Sequence, residues 1–149
     1  MIKTLTFGDK QVSFSTNFAW CFIYRSQFHR DPAQVVLPVA RKAAEMQDEY
    51  GAKGHRTKAQ KAEDDAEYAY LIYELLGFTE IASIAWSMAR LVDNALPDPI
   101  TWIGCLGDDF NAMDILLELI PEAIDSCFAT KKSRVPSPTA TKTTAPAKK

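Results

Sequence analysis

A mainly α fold is predicted: five to six helices, with a short N-terminal β-hairpin ahead of them and a disordered C-terminal tail behind. Three observations carry that prediction. Apolar residues recur at three- and four-residue spacing through most of the chain, whereas strict alternation is confined to residues 2–14. Asp31-Pro32 and Asp98-Pro99 are helix-start signals, because the carboxylate accepts from free first-turn amides and proline needs no partner for an amide it lacks. From Lys131 to Lys149 the chain holds only Lys, Arg, Ser, Pro, Thr, Val and Ala, with Val135 the single large aliphatic side chain. That is too little apolar surface to offset chain entropy. The 149 residues therefore divide into one helical domain over 1–130 and a basic tail or linker over 131–149, a length that suits one core rather than two.

Taken in order, Ile2-Lys3-Thr4-Leu5-Thr6-Phe7 and Val12-Ser13-Phe14 alternate around the turn chemistry of Gly8-Asp9-Lys10. The resulting hairpin must lay its apolar face (Ile2, Leu5 or Phe7, Val12, Phe14) on helices, since an isolated hairpin is marginal in water. Thr16 or Asn17 can cap a first helix over 18–29, apolar almost all round through Phe18, Trp20, Cys21, Phe22, Ile23, Tyr24 and Phe28. Such a helix belongs in a core or under a partner. The second starts at Asp31-Pro32 and carries Val35, Val36, Val39, Ala40, Ala43 and Met46 or Gln47 up to about Glu49. Pro38 deletes one of its hydrogen bonds and either kinks it or marks its start. Tyr50 to Thr57, with Gly51 and Gly54, has linker composition. A third helix follows from about Ala59 to Leu76, with Ala62, Ala66, Ala69, Ile72 or Tyr73 and Leu76 on one face and Gly77 ending it. Thr79 caps a fourth, whose Ile81, Ile84, Ala85, Met88 and Val92 share a face and which stops before Pro97. Asp98-Pro99 opens a short helix with Trp102, closed by Gly107. Asn111 with Asp114 opens the last, striped by Met113, Leu116, Leu117, Ile120, Ile124 and Phe128 and bent by Pro121.

Charge divides at the same boundary. Residues up to 130 hold 11 Lys/Arg against all 19 acids, a balance of −8, while the tail holds six Lys/Arg and no acid. An acidic body argues against a nucleic-acid-binding surface and leaves the tail only weak, salt-sensitive contact with phosphates. Cys21, Cys105 and Cys127 are scattered, odd in number and set in apolar context, which suits reduced buried thiols in a cytosolic setting. No uncharged apolar stretch reaches the roughly 18 residues of a spanning helix. Met1 to Lys10 is too polar for a signal peptide.

No catalytic centre is expected. His29 and His55 have no carboxylate or thiol at a spacing that forms a known site; His29 suits a helix end or surface and His55 a solvated loop. Cys-x-x-Cys, His-x-x-x-His and acidic calcium-loop patterns are missing, so no metal is expected. The six glycines are scattered singly and build no phosphate cradle or nucleophile elbow, so no cofactor is expected either. Asp64-Asp65 and Asp108-Asp109 lie in polar surroundings that would not raise a carboxyl pKa. One charged pattern has more content. Asp114, Glu118, Glu122 and Asp125 line the face of the last helix opposite its apolar stripe, either as a solvated face or as a docking strip for a basic partner helix or the chain's own tail.

Tyr24-Arg25-Ser26-Gln27-Phe28-His29-Arg30-Asp31, just after an N-terminal hairpin, resembles the tail assembly chaperones of long-tailed (siphovirus-type) bacteriophages, whose pattern is Tyr-Arg, then Phe, then Asp. Ile2 to Phe14 resembles that family's opening strands, Ile84-Ala85-Trp86-Ser87-Met88-Ala89 its Trp-containing helix, and Asp98 through Trp102 the start of its closing helices, so the resemblance covers about residues 2–128. The chain departs from the pattern at His29, where Gly is common, and at Trp102-Ile103-Gly104-Cys105, where Trp-Leu and acids are more usual; residues 51–58 read as an insertion. Tyr24 and Phe28, one helical turn apart, pack together on this reading, with Arg25 beside them and Asp31 capping the next helix. The plain interpretation is that these four fix a helix junction and that Trp86 and Trp102 fill the core. The sharper one is a partner surface made of Phe18, Trp20, Phe22, Tyr24, Arg25, Phe28, Asp31, Trp86 and Trp102.

The resemblance implies a non-enzymatic chaperone of viral tail morphogenesis, working in the host cytoplasm and absent from the mature particle. It would bind and solubilise the tape measure protein, a long helical chain with exposed apolar stripes, and promote tail tube assembly around it. The tail tube protein would be recruited mainly by a longer product of programmed frameshifting, for which Lys131-Lys132 and Lys148-Lys149 are compatible with slippery A-rich codons. Self-association is compatible with the same surfaces. Two rivals come from other classes: a small helical regulator whose basic tail touches nucleic acid, and a structural subunit retained in a particle.

Overall fold

Alternation at the N-terminus produces the hairpin. In the computed structural model, which describes residues 1–52, 54, 55 and 57–128, β1 (Ile2–Phe7) pairs antiparallel with β2 (Lys10–Ser15), Leu5 opposite Val12 and Phe7 opposite Lys10. Gly8 takes φ +67° at the first position of the two-residue connection, a conformation that favours glycine. Period-two geometry puts Lys3, Leu5 and Phe7 on one face and Ile2 on the other. Phe7 and Phe14 are accordingly buried, while Ile2 is 57% exposed and leaves the apolar face assigned to it from sequence.

Seven helical segments follow: α1 (Trp20–Phe28), α2 (Pro32–Ala52), α3 (Lys58–Leu76), α4 (Phe78–Val92), α5 (Pro99–Leu106), α6 (Ala112–Glu118) and α7 (Ile120–Phe128), with a 3-10 turn at Gly107–Asp109. The fold is mainly α with an N-terminal hairpin, as expected. The expected disordered tail, 131–149, lies outside the described residues.

Helix ends follow cap chemistry where the sequence offered it. Asp31 Oδ1 accepts from the Ala33 amide at 3.0 Å, Asp98 Oδ2 from Thr101 at 3.3 Å, and Asn111 Oδ1 from Met113 at 3.0 Å and Asp114 at 3.3 Å. Several boundaries differ from expectation. Asn17 Oδ1 accepts from Ala19, but within a turn, so α1 starts at Trp20 rather than Phe18. Pro38 lies inside α2, which runs on to Ala52 and takes in Gly51. Thr57 is no linker residue: its hydroxyl accepts from the Gln60 amide at 3.1 Å while Gln60 Oε1 accepts from the Thr57 amide at 2.9 Å, a reciprocal capping box. Thr79 is not a cap, because α4 already begins at Phe78; only Gly77, at φ +83°, separates it from α3, and the two helices meet at 92°. The last helix is two. It breaks at Leu119, two residues before Pro121, which has no amide to give the Leu117 carbonyl.

The centre of the core is α4. From Ile81 to Ala89 nine consecutive residues are buried, where a single inward face was expected. The reason is tertiary, since β2, α1, α3, α5, α6 and α7 all pack against this helix. Its two buried serines stay satisfied: Ser83 Oγ donates to the Thr79 carbonyl at 2.8 Å and Ser87 Oγ to that of Ser83 at 2.9 Å. Aromatic rings seat the hairpin, with Phe7 stacked on Phe110 at 5.8 Å and Phe14 edge-on to Trp102 at 6.4 Å.

Candidate partner-binding surfaces

The residues proposed from sequence for partner contact separate into two groups. Trp20 and Tyr24 are fully buried, Trp86 and Trp102 nearly so, and Phe28 is half-buried. Each has a structural task. Trp20 Nε1 donates to Ser126 Oγ at 2.9 Å, Trp86 Nε1 donates to the Pro97 carbonyl at 2.9 Å, and the Phe28 ring lies 5.0 Å from Tyr24 and 5.9 Å from Trp86. These five offer little or nothing to a second chain, because they fill the space between helices. Asp31 caps α2. Phe18 and Phe22 do reach solvent, at 51% and 70% exposure, and meet edge to face at 6.0 Å. Arg25 is exposed beside them on α1.

The junction of α1 and α2 is locked by two residues that sequence reading passed over, Arg30 and Glu80. The Tyr24 hydroxyl donates to Glu80 Oε1, Arg30 Nη2 pairs with Glu80 Oε2 at 2.7 Å, and Arg30 Nε donates to the Tyr24 oxygen at 3.3 Å. Burial, and then the bond to Glu80, push the Tyr24 phenol above its ordinary value. The Tyr24 oxygen and the Glu80 carboxylate raise Arg30 in turn, favouring its charged form. Between the helices His29 closes α1 at φ +59°, its amide donating to the Arg25 carbonyl at 2.9 Å. That left-handed cap position is one that glycine fills most readily.

The acidic face is not continuous. The break at Leu119 divides it, and Lys3 of the hairpin sits over its middle, 3.4 Å from Glu118 and 3.9 Å from Glu122. Asp114 is half-buried and Asp125 exposed.

A different apolar surface lies between α3 and α6. Ala62, Ala66, Ala69 and Tyr73 run along α3 at helical spacing, with Tyr70 beside them, and face Met113 and Leu117 of α6 across an open groove of about 690 Å³. Tyr70, Tyr73, Met113 and Leu117 are 65%, 41%, 45% and 43% exposed. From Ala62 to Tyr73 the groove follows about 16 Å of helix axis, three turns. Asp65 is the charged residue lining it. Helix α3 carries Glu63, Asp64, Asp65, Glu67 and Glu74 against Lys58 and Lys61, with Asp64 buried, and α6 carries Asp114 and Glu118, the latter paired with Lys3. From sequence Ala62, Ala66, Ala69 and Tyr73 read as one apolar face and Met113 and Leu117 as part of a stripe, with nothing to show that they stay uncovered. Alanine conceals this, since an Ala stripe matches helical periodicity while having little surface to bury. The available signal was that Tyr68, Tyr70, Leu71, Tyr73 and Leu75 put apolar side chains around most of α3, more than one inward face can take.

Among the described residues no three His, Cys, Asp or Glu side chains are grouped to hold a metal ion, and no single helix is long and apolar enough to cross a membrane. Compared with protein-family models, with curated proteins and with solved structures, the chain matches none.

Proposed function

We propose that this protein is a non-enzymatic assembly chaperone that holds a basic amphipathic helix of a tape measure protein in the α3–α6 groove. The observation that carries this reading is the groove itself: exposed, apolar, three turns long, with Asp65 as its charged lining residue. A helix with apolar anchors at i, i+4, i+7 and i+11 and Lys or Arg at its flanks fits that chemistry. Small alanines on the groove floor allow close helix approach. The partner class comes from the resemblance of Tyr24–Asp31, Ile84–Ala89 and Asp98–Trp102 to tail assembly chaperones of long-tailed phages. Phe18 and Phe22 supply a second apolar contact. In this reading the protein works in the host cytoplasm, leaves before the particle is complete, and uses its basic segment 131–149 as the linker to a frameshifted extension that recruits tail tube subunits.

Co-expression with a tape measure protein tests it. Soluble tape measure protein should rise at least about tenfold with this chain, and Tyr70→Lys should abolish the gain by removing apolar surface and adding a like charge. A tape measure protein equally insoluble with and without the chain would sink the proposal. One kept soluble equally well by Tyr70→Lys would place binding on another surface.

A further inference from the structure

Cys21 on α1 and Cys127 on α7, 106 positions apart in sequence, bring their sulfurs to 3.7 Å. Cys21 belongs to the core at 7% exposure, whereas Cys127 is half-buried at the end of the last described helix. The neighbouring Trp20–Ser126 hydrogen bond, 2.9 Å, holds the two helices in this register. Closing the gap to a bonded S–S distance needs a sulfur movement of about 1.7 Å, within what two side-chain torsions supply. We propose that Cys21 and Cys127 are a redox-active dithiol, closed by a low-molecular-weight disulfide such as glutathione disulfide into an intramolecular bond that ties α7 to α1. Reduced, buried thiols were the sequence-based expectation, whereas Cys105 is exposed; a separation of 106 residues gives no hint of the Cys21–Cys127 contact.

The order of steps follows from access and proton sharing. Cys127 is the more exposed residue, and the hydrogen bond it shares with Cys21 lowers its pKa, while that same bond and then burial raise Cys21. The Asp31 carboxylate opposes ionisation of both and so holds down the thiolate fraction. The Cys127 thiolate attacks one sulfur of glutathione disulfide, forming a mixed disulfide and releasing one glutathione thiolate. The Cys21 thiol then gives its proton to solvent, attacks the Cys127 sulfur and releases the second glutathione. In balance the protein loses two electrons and two protons, and one glutathione disulfide becomes two glutathione thiols.

Full-length protein carrying Cys105→Ser, which removes the exposed third thiol, is equilibrated in glutathione redox buffers, once folded and once in concentrated urea. Intact mass and peptide mapping read the products. Expected is loss of two hydrogens with a Cys21–Cys127 crosslinked peptide, and a closure constant at least about a hundredfold larger folded than unfolded, because the fold pre-orients the sulfurs. Adding Cys21→Ala should stop the reaction at a glutathione adduct on Cys127; adding Cys127→Ala should leave Cys21 largely unmodified. Equal closure constants in the two states, or a mixed disulfide that never closes in the Cys105→Ser protein, would overturn the proposal. Faster adduct formation at Cys21 than at Cys127 would overturn the assigned order.

Discussion

Helices α3 and α4 adjoin at Gly77 and meet at 92°, yet they sit in opposite environments. In α4 nine residues in a row are buried; in the nineteen of α3 the buried ones are Asp64, Ala69 and Ile72. Yet α3 is not polar, since it leaves Tyr70, Tyr73 and Leu75 well exposed. Burial is set by how many neighbours surround a helix, and its own apolar content sets only how much surface goes uncovered when they are few. On α4 that surface builds the core, whereas on α3 much of it stays exposed.

The comparison can be broken most sharply at Trp86. Replacing it by Ala in α4 should cost about 3–5 kcal/mol in urea unfolding, through a cavity against Phe28 and a Pro97 carbonyl left without its donor. A loss under about 1 kcal/mol would mean α4 is not the centre of the core.

Alkaline titration comes next, through the hydroxyl that Tyr24 gives Glu80 in the first turn of α4. The folded phenol keeps its proton above the ordinary tyrosine value. The stability it contributes is therefore fully present below about pH 10 and lost as pH rises beyond it, by up to about 1.4 kcal/mol per pH unit. Tyr24→Phe should flatten that slope in pH-dependent urea midpoints without abolishing it, because Tyr50 and Tyr68 are also raised, chiefly by burial.

With so little buried area, α3 depends on local chemistry. Thr57→Ala, which removes the hydroxyl of the capping box, should cost about 1 kcal/mol and loosen amide-exchange protection first in the opening turns of α3. The smallest effect belongs to the groove: Tyr70→Lys should change stability by no more than about 0.5 kcal/mol. Unchanged stability combined with lost partner binding would separate the uses of the two helices.

What was legible in the sequence was local. Asp31-Pro32, Asp98-Pro99 and Asn111 start helices where they should, because a cap needs only a side-chain oxygen within reach of the next amides. The hairpin was equally legible, since a two-residue connection with Gly8 and a period-two pattern fix its register. The Thr57-x-x-Gln60 box was there to be read and was absorbed into a supposed linker. Of the candidate contact residues, Phe18, Phe22 and Arg25 reach the surface, while the buried aromatics were chosen for size, a property that cores and interfaces share.

Secondary structure, caps and charge segregation were determined by the sequence, because each rests on interactions spanning about four residues or on composition alone. Tertiary structure decided which faces are covered. It surrounded α4 on all sides, left the alanine stripe of α3 open against Met113 and Leu117, set Lys3 across Glu118 and Glu122, and brought Cys21 to Cys127. Helical periodicity states that a helix has an apolar face; only the packing of distant segments states what, if anything, lies against it.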